Sequence, residues 1–269
     1  MSNEQIASAQ APKPIVPKAS TKLVAGKVPW SPWLGVGYAA FIFLAAQVLA
    51  SNLIGIYPRV ENWSQQRIEV WLNNSIVAQF WYVLFAEVLT FGGVWWFLRL
   101  RGTNLRIIGW RKPRWWDVAL MLCGFAVYFF GYIVLLTIAT HLFPSLNVNQ
   151  KQELGFQNVQ GGKNLLLTFL SLVILPPLAE ETVFRGFIFT GLRARLKWGW
   201  ALVITSVLFG TAHLEFGTGQ PLVWVAGLDT FTLSLVLCYL RQKTDSLWPG
   251  ILLHALKNSV AFMALYIIR

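Results

Sequence analysis

The stretch "LPPLAEETVFRGF", Leu175 to Phe187, places two adjacent carboxylates, Glu180 and Glu181, and a guanidinium, Arg185, inside an otherwise apolar run. A single charge at the centre of a membrane helix costs roughly 2.5–3.5 kcal/mol on insertion scales, so ionisable groups there point to function. Helical spacing accounts for part of the cluster. Glu181 and Arg185 stand at i and i+4 with the acid nearer the N-terminus, the better orientation for a helical ion pair. Glu180 projects about 100° away and lacks that partner. Pro176-Pro177 predicts a helix restart, because proline is tolerated in a first turn. Both acids then fall in early turns, where the helix dipole favours negative charge.

The rest of the chain sets the environment of this stretch. Of 269 residues, 56% are hydrophobic and only 12% charged, whereas soluble domains carry about 25% charged residues. That deficit predicts a membrane protein, and the 14 Trp fit one, since Trp gathers at the membrane–water interface. The net charge of +11 could suggest nucleic acid as a partner. However, the basic residues cluster between apolar segments and leave no soluble basic face, so no nucleic-acid partner is expected. Cys123 and Cys238 lie in apolar segments with no CxxC spacing and read as small buried hydrophobes.

Apolar segments fall at about 31–57, 76–99, 116–140, 164–192, 199–213, 222–240 and 248–268, and a crossing needs about 20 residues. The expected fold class is therefore all-α: a polytopic transmembrane helix bundle of seven spans, with eight helices if Pro176-Pro177 splits the fourth. Loops alternate in charge. Fifteen Lys and Arg fall on the side of the N-terminal tail and five on the other. The positive-inside rule then predicts a cytosolic N-terminus and a C-terminus on the opposite side. Three regions are expected: a disordered basic cytosolic tail at 1–29, accessory transmembrane helices at 30–160, and a transmembrane core at 161–269 that holds the charged stretch.

The chain has three histidines. His213 ends the fifth segment, one turn after Phe209. His254 and Asn258 share a face of the seventh, at i and i+4. His254 and Glu180 are expected at similar depth. His213, at the far end of a short span, sits awkwardly for convergence unless that span is tilted or does not cross fully. Glu87, Asp229 and Lys257 read as structural or edge charges, with Asp229 the best partner for Lys257.

In order, EExxxR (Glu180, Glu181, Arg185), FxxxH (Phe209, His213) and HxxxN (His254, Asn258) resemble the motifs of the CPBP family. This family comprises type-2 CAAX prenyl endopeptidases, lysostaphin-resistance-protein-A-like proteins and Abi proteins. The resemblance covers about residues 160–265, including a trailing glycine, Gly186. It implies an intramembrane endopeptidase acting on a membrane-associated, possibly lipidated peptide or protein. Glu180 would be the catalytic glutamate, supported by Glu181 and Arg185, with His213, His254 and Asn258 completing the site.

Two mechanisms suit these residues. Without metal, Glu180 activates water while His213, His254 and Asn258 hydrogen-bond the oxyanion. With Zn²⁺, Glu180, His213 and His254 are the candidate ligands. No HExxH is present, and the metal-free form is the one expected. Two rival classes remain at this level: a non-catalytic scaffold or immunity protein of the same fold, and a small transporter.

Overall fold

Serine caps set where the first helices begin. In the computed structural model, Ser31 Oγ accepts from the Leu34 N–H at 3.2 Å and Pro32 follows in the first turn. Helix α1 therefore starts at the proline and runs Pro32–Val60. Ser64 and Ser75 cap α2 (Gln65–Asn74) and α3 (Ile76–Leu100) in the same way. The chain continues through α4 (Trp116–Leu142), α5 (Gly162–Arg193), α6 (Trp198–Ala212), α7 (Trp224–Thr244) and α8 (Trp248–Tyr266). The structure describes residues 28–150, 155–157, 159–214 and 221–268, and no strand occurs among them. Most of the tail expected at 1–29 lies outside the described residues.

All seven apolar segments are helical. Helices α1, α3, α4, α5 and α7 are long and apolar enough to cross a membrane. Their outer faces expose Phe41, Leu44, Trp96, Phe130 and Trp224, as lipid contact requires. The protein is a polytopic, integral-membrane helix bundle. Cys238 is buried as expected, whereas Cys123 is exposed, because it lies on the outward face of α4.

The proline pair does not split the fourth segment. Helix α5 runs unbroken from Gly162 to Arg193, and the eighth helix is instead the short, exposed α2. A π-helical stretch at Leu170–Ile174 precedes the prolines, and Leu175 N–H donates to the Leu170 carbonyl five residues back. The wider turn makes room for the pyrrolidine rings. In an α-helix the Leu172 carbonyl would accept from residue 176, and in a π-helix from residue 177. Both are proline and carry no N–H. The Asn258 amide supplies the missing donor, with Nδ2 at 2.9 Å from the Leu172 oxygen. The prolines thus open a carbonyl to the third motif instead of starting a helix. Glu180 and Glu181 consequently lie mid-helix, and the dipole argument for their position does not apply.

Helix α5 is the central element, packed against α1, α3, α6, α7 and α8. Its second half is nearly all buried: Phe187, Phe189 and Leu192 are fully enclosed. Gly191 permits this on one side, since a Cβ there would meet Trp30 Nε1 at 2.6 Å. Gly186 does so on another, where a Cβ would lie 3.2 Å from the Ile108 carbonyl oxygen. The segment 105–111 folds back onto the core at this end of the bundle. Trp110 Nε1 donates to Thr182 Oγ1 at 3.0 Å, and Leu247 N–H donates to the Gly109 carbonyl at 3.0 Å. The buried Arg241 is held by Asp245 at 2.7 Å, and Arg111 also pairs with Asp245. Gly109, at φ +97°, must be glycine on two counts, because a Cβ would also lie 2.7 Å from the Arg241 guanidinium carbon.

Helices α6 and α7 meet backbone to backbone. A Cβ at Gly210 would sit 2.9 Å from the Gly227 carbonyl oxygen and 3.0 Å from Phe231 Cβ. Gly210→Ala should therefore push the helices apart and cost about 1–3 kcal/mol, the range for overpacking. The check is thermal unfolding in detergent, where an unchanged midpoint would contradict the close approach.

Candidate active site

Helix α6 has 15 residues, which gives a length of about 22 Å. A hydrocarbon core is about 30 Å thick. A helix that short stops before the far side, and His213 at its C-terminus lies inside the bundle, lining a cavity with Glu180 and His254. This removes the awkwardness of its sequence position: the helix does not cross fully. Phe209, fully buried, organises the surroundings. Its ring lies 4.6 Å from His213, 5.8 Å from His254 and 4.8 Å from Phe184, centroid to centroid. The Arg185 guanidinium stands 4.1 Å above the same ring.

The charges around Glu180 fall into two kinds. Glu181 and Arg185 form the expected pair, with Nη1 to Oε1 at 2.9 Å and both side chains enclosed. The same Glu181 oxygen lies 3.1 Å from His254 Nδ1. A carboxylate already accepting from arginine can only accept again, so Nδ1 carries the hydrogen and Nε2 faces the other way. There it meets Glu180, with Oε2 at 3.9 Å. That is too long for a direct hydrogen bond and suits a bridging water. Glu180 Oε2 has no hydrogen-bond partner among the described residues. His213 repeats the pattern: its Nδ1 lies 2.8 Å from the Phe209 carbonyl oxygen, which again places the hydrogen on Nδ1. Both imidazoles, when neutral, present a bare Nε2. They can accept there, and they donate there only as imidazolium.

Glu180, His213, His254 and Asn258 line one cavity of about 260 Å³, together with Thr230 and Lys257. Lys257 is held by Asp229 at 2.9 Å, the partner its position suggested, and Asp229 accepts in turn from the Tyr128 hydroxyl. Gly250 lets α8 approach this group, since a Cβ there would lie 3.0 Å from Glu181 Oε2. A second cavity of about 490 Å³, largely apolar, lies between α1, α3, α5 and α6 and shares Glu180 and His213 with the first. Glu87 lines it, so this residue is not the edge charge its sequence position suggested. Phe209 as organiser and Thr230 as a wall were missed, although Phe209 carried a signal in its helical-turn spacing from His213.

Three of the six expected site residues, Glu180, His213 and His254, were also the candidate metal ligands. Among the described residues no three His, Cys, Asp or Glu side chains group as a metal site.

The three motifs thus converge from α5, α6 and α8 on a single cavity. Residues 162–260 match the Rce1-like family model, described as type II CAAX prenyl endopeptidase Rce1-like. This is the family group that the motifs resemble, and the matched segment contains all six candidate site residues. An uncharacterized 24.3 kDa protein of Escherichia coli is 38% identical over 93 residues. The aligned part is 34% of this chain and 41% of that protein, so the chain spans under half the length of that relative. No solved structure matches. The Rce1-like segment begins at the first residue of α5 and ends within α8. The helices that close the larger cavity from the other side, α1 and α3, lie outside it.

Proposed function

We propose that the protein is an intramembrane endopeptidase that hydrolyses a peptide bond of a membrane-associated peptide or protein, with Glu180 as the base. The observation that carries this reading is the meeting of Glu180, His213, His254 and Asn258 around one polar cavity. Behind them, the Glu181–Arg185 pair fixes the His254 ring. Water between Glu180 and His254 Nε2 gives its proton to Glu180 and attacks the scissile carbonyl. Asn258 spends one amide hydrogen on Leu172 and has a second for the developing oxyanion. An imidazolium at His213 or His254 would add a donor on the same side. Glu180 then returns the proton to the leaving amine, which balances the step. The N-terminus is cytosolic in this reading, and the substrate is cut near the cytosolic face. A lipidated substrate is one form it could take.

The test is mass spectrometry of membrane-anchored peptides incubated with the protein in proteoliposomes, with and without chelator. The expected result is a defined cut that survives chelation. Activity that needs stoichiometric zinc overturns the metal-free mechanism. Failure to cut any anchored peptide or membrane protein from the source cell overturns the peptidase reading.

A further inference from the structure

Among the described residues, the acids that are at least partly buried are, with two exceptions, neutralised within the chain. Glu181 pairs with Arg185, Asp229 with Lys257, and Asp245 with Arg241. The exceptions are Glu180, which the proposed mechanism uses, and Glu87, which it does not. Glu87 is the twelfth of the 25 residues of α3, so it sits midway along a helix long enough to cross the membrane. It has no hydrogen-bond or ion-pair partner among the described residues. An unpaired carboxylate at that depth is costly and marks a ligand path by default.

The cavity that Glu87 lines supplies the ligand's character. Its volume is about 490 Å³ and its walls are mainly apolar, with Phe43 from α1 and Leu208 from α6. Thr90, one turn from Glu87, adds a hydroxyl, and no Lys or Arg lines it. A ligand that fits has an apolar stem long enough to lie against Phe43 and Leu208, and a cationic end. Lysine and arginine side chains have that form, with methylene stems that bury readily. The cavity shares Glu180 and His213 with the polar one, so a side chain seated in it lies beside the bond that Glu180 would cut.

We propose that this cavity receives a lysine or arginine side chain of the substrate, close to the cleaved bond, and that Glu87 pairs with its charged end. This rests on the peptidase reading of Glu180. Glu87 is a specificity residue here and takes no part in the chemistry.

Two measurements on the full chain in nanodiscs test it. In the first, anchored peptides carry Lys, Arg, norleucine or Glu at each position flanking the cut. The wild type should favour Lys and Arg over norleucine by roughly tenfold in kcat/KM, the scale of one charge-assisted hydrogen bond. Glu87→Gln should remove that preference, so that Lys, Arg and norleucine peptides have comparable kcat/KM in the variant. In the second, calorimetry compares hexylammonium with hexanol, which needs no cleavage. Hexylammonium should bind more tightly to the wild type and to Glu180→Gln, and lose its advantage in Glu87→Gln. If Glu87→Gln does not fold, competition by hexylammonium but not hexanol against wild-type cleavage carries the test.

Cleavage without a basic preference overturns the cation pocket and leaves the peptidase reading standing. So does a hexylammonium advantage that follows Glu180 instead of Glu87. Hexylammonium binding that depends on Glu87, in a protein that cuts no peptide, supports the cation pocket and overturns the peptidase reading instead.

Discussion

Glu180→Gln should lower the cleavage rate by about 10²- to 10⁴-fold, the usual contribution of a general base, and leave the fold intact. The two halves of that expectation come from the same geometry. Glu180 Oε2 has no hydrogen-bond partner among the described residues, and His254 Nε2 lies 3.9 Å away. Replacing the carboxylate by an amide of equal size therefore strands no partner and empties no space. What it removes is the acceptor that takes the proton from water. Single-turnover cleavage of an anchored peptide measures the loss, and thermal unfolding in detergent measures the fold. Full cleavage by the variant would remove Glu180 from the role of base. A parallel collapse of both quantities would make it structural.

Glu181→Ala should behave in the opposite way. Arg185 is 1% exposed and Glu181 is fully enclosed. Without the acid, the guanidinium keeps the rings of Phe209 and Phe184, and its Nε and Nη2 already lack hydrogen-bond partners among the described residues. Breaking one side of a buried pair costs about 3–5 kcal/mol, because the surviving charge is left uncompensated. The unfolding midpoint should fall steeply. An unchanged midpoint would mean that the pair contributes nothing to the fold. The double variant Glu181→Leu/Arg185→Met separates structure from chemistry. It should recover much of the stability, since apolar replacement of both partners removes the stranded charge. It should not recover cleavage, since His254 Nδ1 would still have lost its acceptor. Recovered cleavage would show that orientation of the ring is unimportant.

Much of this site was legible in the sequence because helix spacing is a local property. The i, i+4 relation of Glu181 and Arg185 became an ion pair, and that of Phe209 and His213 a ring contact. The pairing of Asp229 with Lys257 could be inferred by elimination, since few other charges share the apolar segments. Depth was less legible. Counting residues from the helix end placed His213 at the far side, but the missing turns of α6 bring it inward. The proline pair was misread because proline in isolation favours a helix start. The π-helical stretch before it and the amide of Asn258, 86 residues away in sequence, make the interior position tolerable. Glu87 carried no signal beyond its charge. Its meaning depends on α1, α3, α5 and α6 enclosing a common space, which no local pattern encodes.

The oxygen shared by Arg185 and His254 has a consequence for how this protein can change. In many proteins a buried ion pair is replaceable by well-packed hydrocarbon, sometimes with a gain in stability. If Glu180 cuts peptides as proposed, that route is closed here, because Glu181 Oε1 both neutralises the arginine and aims the imidazole. Selection for a sturdier core and selection for a competent site act on the same atom. A lineage that abandoned catalysis would be free to make the exchange. Loss of the second glutamate together with the arginine would then mark a relative that keeps the architecture and has given up the reaction.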